Sequence, residues 1–370
     1  MADNKNQHFV PKAHLKPFSV DEGGKAIHLF NLDRDRAIPN APVRNQCSSD
    51  YFYGQDPQLE AAIQSVEGPY GQMLARVLPN GTIPGALDRT VLRRFILLQH
   101  LRTEAAAASA SQVLAAMAQL PGVLPPGEDF DVKKAMRVAV EEAMLVYARQ
   151  MRIVDDLRVT VIRNESRTPF ITSDDPAVLT NRWHLQNPRG RYRPFSLRHA
   201  GLVMLLPLSP RVLAMLHDPD VYAVAHRQGV VTIDRDRDAD ALNAHQILNC
   251  AANVFFQDWA GRDQLAEAVR AAAQDRPERR HRTTYAVQDR TVGQHTRYAV
   301  APLEEIDPGA GREVLIHTEI LRPRPGRWPG FLTVRRNARA LDNGTRTGFV
   351  RRACYEEGFV TGEGFRQIRL

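Results

Sequence analysis

The side chains of Glu67, Gln99 and Arg102 lie at the polar edges of apolar helical patterns. Gln99 lies four residues after Phe95 and three before Arg102, so these three share one side of a predicted helix. Glu67 borders the apolar stripe of an earlier predicted helix. Because a buried charge is costly unless it is paired, we expect Arg102 to pair with Glu67 or with an aspartate later in the chain. The alternative is an ion pair that only joins the helices to the sheet.

The segment Ser173-Asp174-Asp175-Pro176 places two carboxylates where a predicted strand ends. Adjacent side chains of a strand point to opposite faces, so one of the two aspartates is expected to face a given site. We favour Asp174 for that site, because Asp175 precedes a proline and suits a turn. Turn formation alone would also explain this segment.

His8 lies in a short polar segment near the start of the chain. A histidine in this position can act as a general base, contact a phosphate or bind a metal ion. The alternative is that its ring anchors the N-terminal segment through a backbone hydrogen bond. His8 and Asp174 are the predicted ligands of a divalent metal ion, although no specific motif implies a cofactor.

Together these residues predict one polar cleft, that of a metal-assisted phosphodiesterase acting on nucleic acid. The histidine and the carboxylates would bind a divalent cation or activate water, and Gln99 with Arg102 would hold a phosphate. The alternative is a non-enzymatic module that binds nucleic acid or protein and whose polar cluster is structural. In either case we expect residues 5–19 to pack against the helix that carries Gln99 and Arg102. The predicted cleft consists of His8, Glu67, Gln99, Arg102 and Asp174.

Several common chemistries lack their motifs in this sequence. There is no P-loop, no dinucleotide-binding glycine pattern, no H-E-x-x-H, no G-x-S-x-G and no kinase signature. The three cysteines are far apart, which disfavours a disulfide framework, a zinc finger and thiol catalysis. A membrane-spanning helix needs about 18 consecutive apolar residues, and no apolar stretch of this sequence is close to that length. No secretory signal is evident. We therefore expect a cytoplasmic protein without a membrane partner.

The secondary structure predicted to position these residues changes from helices to strands along the chain. Apolar residues spaced by three and four predict helices over 56–78, 87–120 and 130–153. Short runs rich in β-branched residues predict strands over 157–217. Helical spacing returns over 236–257 and 260–274. The predicted class is α+β, with an N-terminal helical half packed on a mostly antiparallel sheet.

The net charge of +7 is concentrated in the last quarter of the chain, where residues 275–370 hold eighteen arginines and twelve acidic residues. NG and PG turns between apolar runs predict a β-rich basic extension. Its arginines are predicted to bind nucleic-acid phosphates, and a solvated basic surface is the alternative. Because most of the core pattern precedes residue 258, we expect a chain without residues 275–370 to fold. The arginines predicted to contact nucleic acid are Arg279, Arg280, Arg322, Arg324, Arg335 and Arg336.

A set of motifs in this order resembles a bacterial and fungal family called domain of unknown function 4238. The motifs are Gln7-His8-Phe9-Val10-Pro11, then Phe95 with Gln99 and Arg102, then Ser173-Asp174-Asp175-Pro176, then Leu206-Pro207-Leu208-Ser209-Pro210. The resemblance covers about residues 5–258 and implies a family domain over 1–258, followed by a helix and the extension over 259–370. It implies the same candidate residues but no established activity. His14 stands where the family has an aromatic residue.

Overall fold

The structure, a computed structural model, describes residues 5–21, 23–80, 84–120, 129–190, 193, 195–277, 281–293, 295–307 and 311–370. The α-helices of these ranges are α1 (Lys12–Leu15), α2 (Pro57–Asn80), α3 (Ala86–Leu101), α4 (Glu104–Ala118), α5 (Val132–Gln150), α6 (Arg182–Gln186), α7 (Asp236–Asn249), α8 (Arg262–Ala273) and α9 (Arg352–Glu356). The strands are β1 (Asn6–His8), β2 (Ala26–Asn31), β3 (Arg36–Pro42), β4 (Ser48–Asp50), β5 (Arg158–Asn164), β6 (Thr172–Ser173), β7 (Val178–Thr180), β8 (Val203–Ser209), β9 (Val212–His217), β10 (Tyr222–Val224), β11 (Val230–Ile233), β12 (Asn253–Phe256), β13 (His281–Val292), β14 (His295–Ala301), β15 (Val314–Ile320), β16 (Leu332–Val334), β17 (Arg339–Asp342) and β18 (Arg366–Arg369).

Two sheets form the centre of the molecule. The larger has the strand order β11-β5-β9-β8-β7, in which β11 runs parallel to β5 and the other neighbours are antiparallel. The smaller has the order β3-β2-β12-β6 and is antiparallel throughout. Helices α2 and α3 share a buried apolar cluster with the larger sheet. The predicted α+β class is therefore confirmed.

Helices α2 and α3 bury the apolar faces that their spacing predicts. Tyr70 and Phe95, one from each helix, are fully buried and stack with parallel rings. Pro69 lies inside α2, and the helix continues through it to Asn80. Among the described residues, none of the helices has both the length and the apolar composition that a membrane crossing requires.

The helix predicted over 87–120 is two helices. Helix α3 ends at Leu101, and Thr103 adopts an extended backbone conformation. Its hydroxyl then accepts a hydrogen bond from the backbone N–H of Ala106 at 3.2 Å, which caps the start of α4. The apolar spacing continues across this break, so periodicity alone did not reveal it. The break leaves Arg102 at the junction of the two helices.

The helix predicted over 236–257 is also shorter than expected. Helix α7 ends at Asn249, and residues 253–256 form β12 in the smaller sheet. The Asp174 carboxylate accepts hydrogen bonds from the backbone N–H groups of Ala251, Ala252 and Asn253, at 2.7–2.8 Å. These groups can no longer donate to the carbonyls of a preceding helical turn, so the helix ends before them.

The C-terminal extension is β-rich, but it has two unequal parts. Strands β13, β14 and β15 form a separate sheet, which packs on α4 where the Tyr285 hydroxyl donates to the carbonyl of Ala116 at 3.2 Å. The chain after β15 returns to the main body. Strand β16 pairs with β10, and Leu341, Val350 and Cys354 belong to the buried cluster that α3 shares with the larger sheet.

Arg351 shows how firmly this last part is attached. Its side chain is 2% exposed, forms an ion pair with Asp156, and donates to the carbonyl of Ile153 at 2.6 Å. These contacts argue against the expectation that a chain without residues 275–370 would fold, which stays a prediction. Such a chain would lose core side chains and leave Asp156 without its buried partner.

Candidate functional site

A polar cavity of about 400 Å³ lies between the N-terminal segment and helix α2. We call it the N-terminal cavity. One wall comes from β1 and α1, and the other comes from one side of α2, where Gly68 and Gly71 add no side chains. The side chains that can take part in chemistry there are Gln7, His8, Lys12, Tyr53, Glu60 and Glu67.

Gln7 fixes the N-terminal segment beside the chain that follows β4. Its side-chain oxygen accepts from the backbone N–H of Tyr53 at 2.6 Å, and its amide nitrogen donates to the carbonyl of Gly54 at 3.1 Å. The Tyr53 hydroxyl in turn donates to the carbonyl of His8 at 3.4 Å. Both hydrogen bonds of Gln7 are made inside the protein, so this side chain positions its neighbour His8. Neither Gln7 nor Tyr53 was among the predicted site residues, although Gln7 belongs to the first motif of the family resemblance.

His8 is half-buried on the wall of this cavity. Its Nε2 atom is buried and has no hydrogen-bond partner in the part of the chain that the structure describes. Burial and the nearby Lys12 ammonium lower the pKa of His8, while the carbonyls of Val43 and Asn6 and the Glu67 carboxylate oppose that shift. The ring is therefore neutral at pH 7, the form in which a histidine accepts a proton.

Glu67 stands between the cavity and a closed network beneath it. The Glu67 carboxylate accepts a hydrogen bond from Nη1 of Arg102 and forms an ion pair with it. Arg102 also donates from Nε and Nη2 to the side-chain oxygen of Gln99, at 3.0 and 2.8 Å. Gln99 completes the network by donating to the carbonyl of Phe9 at 2.8 Å. Of the two partners expected for Arg102, the structure shows Glu67.

The Arg102 guanidinium is 0% exposed, and Gln99 is equally enclosed. Burial alone would lower the pKa of Arg102, but Tyr53 and Glu67 raise it above its usual value. Neither side chain reaches solvent, which argues against direct contact with a phosphate, and the predicted phosphate contact of Gln99 and Arg102 stays a prediction. The hydrogen bond from Gln99 to the carbonyl of Phe9 does bring the N-terminal segment against α3, as expected.

His14 extends the closed network toward the smaller sheet. It is fully buried, with Nδ1 2.8 Å from the Tyr70 hydroxyl and Nε2 3.0 Å from the Thr172 hydroxyl. Burial and the nearby Arg102 lower the pKa of His14 to about 3. Its ring packs against Phe95, with 6.2 Å between the ring centroids. An imidazole thus occupies a position among aromatic rings, where both of its nitrogens have partners.

The Asp174 carboxylate binds backbone groups that follow helix α7. Its two oxygens accept the three backbone hydrogen bonds that end α7, and it does not line the N-terminal cavity. Asp175 accepts from the Thr103 hydroxyl at 3.0 Å and so joins the segment to the start of α4. Within the described ranges, no group of three or more His, Cys, Asp or Glu side chains is arranged to hold a metal ion. The metal site predicted at His8 and Asp174 stays a prediction.

The arginines of the extension differ in their surroundings. Arg279 and Arg280 lie outside the described residues. Arg335 donates to the carbonyls of Pro219 and Tyr222, at 2.8 and 3.0 Å. Arg322 is half-buried over the ring of Phe195, whereas Arg324 and Arg336 are exposed. The predicted nucleic-acid contact of these residues stays a prediction.

Comparison with known proteins adds one finding. A family model described as Protein of unknown function (DUF4238) matches residues 6–259. Searches of curated proteins and of solved structures each found no match to this chain. The matched range runs from β1 to the 3-10 turn after β12, so it contains the N-terminal cavity, the closed network and both central sheets. Since the match covers well over half of the 370 residues, the chain belongs to this family of unknown function.

Proposed function

We propose that the N-terminal cavity is the active site of a hydrolase in which His8 transfers the proton. One observation carries this proposal: His8 and Glu67, selected from separate motifs, line the same open polar cavity. A histidine with a pKa below its usual value and an acidic side chain close by are the components of general base catalysis.

His8 would act first as the base. Its neutral ring accepts a proton from water as the water oxygen bonds to the phosphorus or carbon of the substrate. The bond to the leaving oxygen then breaks, and the imidazolium returns the proton to that oxygen. The carbonyls of Val43 and Asn6, which favour the charged form of the ring, stabilise the imidazolium in between.

Glu67 would stabilise the same imidazolium through its negative charge. Its ion pair with Arg102 holds the carboxylate in one position. Gln99 and Arg102 are therefore positioning residues in this proposal, because they act through Glu67 and do not reach the cavity. Lys12, which is exposed on the cavity wall, provides a positive charge for an anionic substrate.

The positive charges at the cavity and on the extension favour a phosphodiester as the substrate. Nucleic acid is the phosphodiester that the sequence predicts. Lys12 at the cavity and the exposed Arg324 and Arg336 of the extension support an anionic substrate. A divalent metal ion stays a prediction, and no step proposed here depends on one.

The second candidate is a non-enzymatic binding module. The closed network favours it, because Gln99, Arg102 and Asp174 all have structural hydrogen bonds that account for them. In that case the N-terminal cavity binds a small polar ligand without transforming it.

The test is hydrolysis of single-stranded DNA, RNA and bis(p-nitrophenyl) phosphate by the full chain, with EDTA or with added Mg²⁺ or Mn²⁺. We expect His8→Asn to reduce the rate about 100-fold or more, and Glu67→Gln to reduce it with a changed pH profile. The matched control is His317→Asn, which removes an exposed histidine that does not line the cavity. Melting curves of each variant separate loss of activity from loss of folding.

Two results would reject the hydrolase. One is a rate that His8→Asn leaves unchanged, and the other is the absence of turnover on all three substrates. Turnover only with added metal ions would support the predicted metal assistance. Binding of a substrate without turnover would favour the second candidate.

A further inference from the structure

A second cavity, of about 360 Å³, lies where helix α4 meets β15 and the residues that follow it. We call it the α4–β15 cavity. Its apolar wall consists of small side chains of α4, among them Ala105 and Ala106, with Ile320 and Leu321 opposite. A volume of this size is in the range of small-molecule sites. The cavity is separate from the N-terminal cavity and shares no lining residue with it.

Arg322 forms the polar end of this cavity. Its guanidinium lies 4.7 Å from the centre of the Phe195 ring. In the part of the chain that the structure describes, it makes no hydrogen bond or ion pair. Arg276, also in the lining, instead donates to the carbonyls of Cys250 and Ala251, at 2.8 and 2.7 Å. Arg322 is thus the guanidinium of this cavity whose donors stay available to a ligand.

Of the residues that the structure describes, the titratable side chains that line the cavity are His100, Asp175, Arg276 and Arg322. Burial, followed by the field of Arg322, lowers the pKa of His100 to about 4, so this ring is neutral at pH 7. Burial lowers the pKa of Arg322 to about 10, with Asp175 opposing the shift, so the guanidinium remains charged. Among the described lining residues, two positive charges and one negative charge leave a net positive charge of one.

A half-buried guanidinium without hydrogen bonds is costly unless an anion satisfies it. A carboxylate matches its planar fork with two parallel hydrogen bonds. The single excess positive charge fits a monoanion, and Asp175 would repel a doubly charged phosphate more strongly. The alanine-rich wall can cover an apolar chain. We propose that the α4–β15 cavity binds a small carboxylate with an apolar chain, held by Arg322 at its charged end.

The test uses three probes of equal chain length with the full-length protein, namely octanoate, octan-1-ol and octylammonium, titrated by calorimetry. We expect octanoate to bind about 10- to 100-fold more tightly than octanol, since a charge-assisted hydrogen-bonded pair contributes about 1.5–3 kcal/mol. Octylammonium should bind most weakly, because its charge has the same sign as Arg322.

Variants assign this binding to the cavity. Arg322→Gln should reduce octanoate affinity about 10-fold or more and leave octanol nearly unchanged. The matched control is Arg324→Gln, because Arg324 is exposed two residues away and does not line the cavity. Ala106→Leu fills the apolar wall and should weaken binding of both probes without changing any charge.

Equal affinity for octanoate and octanol would overturn the proposal, and so would octanoate binding that survives both Arg322→Gln and Ala106→Leu. Absence of octanoate binding would overturn it as well. If Arg322→Gln does not fold, Ala106→Leu and Arg322→Lys take its place in the test. Arg322→Lys is expected to retain part of the preference for octanoate over octanol.

Discussion

Arg102 belongs to the closed network beside the N-terminal cavity and Arg322 lines the α4–β15 cavity, and the surroundings of their charges are opposite. Arg102 is fully enclosed, and Gln99 and Glu67 accept hydrogen bonds from three of its nitrogens. Arg322 is half-buried, stacks on Phe195, and makes no hydrogen bond among the described residues. The first charge is balanced by the protein itself. The second faces a cavity in which an external anion can balance it.

This difference separates a scaffold from a binding site. A buried charge with a full set of partners holds elements together, and here Arg102 joins α2 to the junction of α3 and α4. A charge with available donors raises the free energy of the unliganded protein and lowers it again when a ligand binds. Basic residues should therefore be judged by their partners as well as by their type. The following substitutions test the contrast.

Arg102→Ala is expected to have the largest effect on stability. It leaves Glu67 and Gln99 without their partner in a closed environment, so the free energy of unfolding should fall by about 3 kcal/mol or more. Urea denaturation measures this loss. Arg270→Ala is the matched control, because Arg270 forms an exposed ion pair with Asp35 and should contribute less than about 1 kcal/mol. Equal losses in the two variants would contradict the scaffold role of Arg102.

Acid should weaken the protein through histidines that lie in the fields of these two arginines. The folded pKa of His14 is about 3 and that of His100 about 4, both below the unfolded value near 6.5. Below pH 6.5 the unfolded chain binds protons that the folded chain does not, so stability falls as the pH decreases toward the folded pKa values. At pH 5 each histidine should cost about 2 kcal/mol.

Urea denaturation at pH 7 and pH 5 measures this effect. His100→Asn should recover about 2 kcal/mol of the loss between the two pH values. An unchanged pH dependence in His100→Asn would show that this ring is not held neutral.

The two cavities also differ in their walls, since glycines of α2 line the first and alanines of α4 line the second. Gly71→Ala should stabilise the protein by about 0.5–1 kcal/mol, because glycine is unfavourable within a helix. The new Cβ would lie 3.5 Å from the Cβ of Ala13, an ordinary contact. Gly68→Ala should gain less, because a residue with a Cβ before Pro69 disfavours the helical conformation. A loss of stability in Gly71→Ala would contradict this reasoning.

Arg322→Gln should have the smallest effect on the unliganded protein, below about 1 kcal/mol in the free energy of unfolding. It removes a charge that has no hydrogen bond to lose within the described chain, so no partner is left behind. The pKa of His100 should rise toward its usual value, because the field of Arg322 is the second cause of its lowering. Thermal denaturation and NMR titration of the His100 ring measure both effects. A loss as large as that in Arg102→Ala would show that the two arginines do not differ.

Local spacing determined much of the first half of the chain. The apolar faces of α2 and α3 follow from residues three and four apart, which is why the pairing of Glu67 with Arg102 was among the expected contacts. The resemblance to the DUF4238 family also rested on local motifs, and the family match confirms it. Where a cap ended a helix inside a continuous apolar pattern, as Thr103 does, spacing alone was not sufficient.

Tertiary structure decided which polar residues are open and which are closed. The Gln99 side chain donates a hydrogen bond to the carbonyl of Phe9, ninety residues earlier in the chain. The Asp174 carboxylate accepts hydrogen bonds from backbone N–H groups nearly eighty residues later. The last part of the extension enters the core through Arg351, which joins a segment almost two hundred residues before it. Sequence periodicity reports which side of an element is apolar, but exposure depends on the distant segment that covers that side. For this reason the sequence by itself determined the elements and the candidate residues, and only the folded chain separated a scaffold arginine from one that faces a cavity.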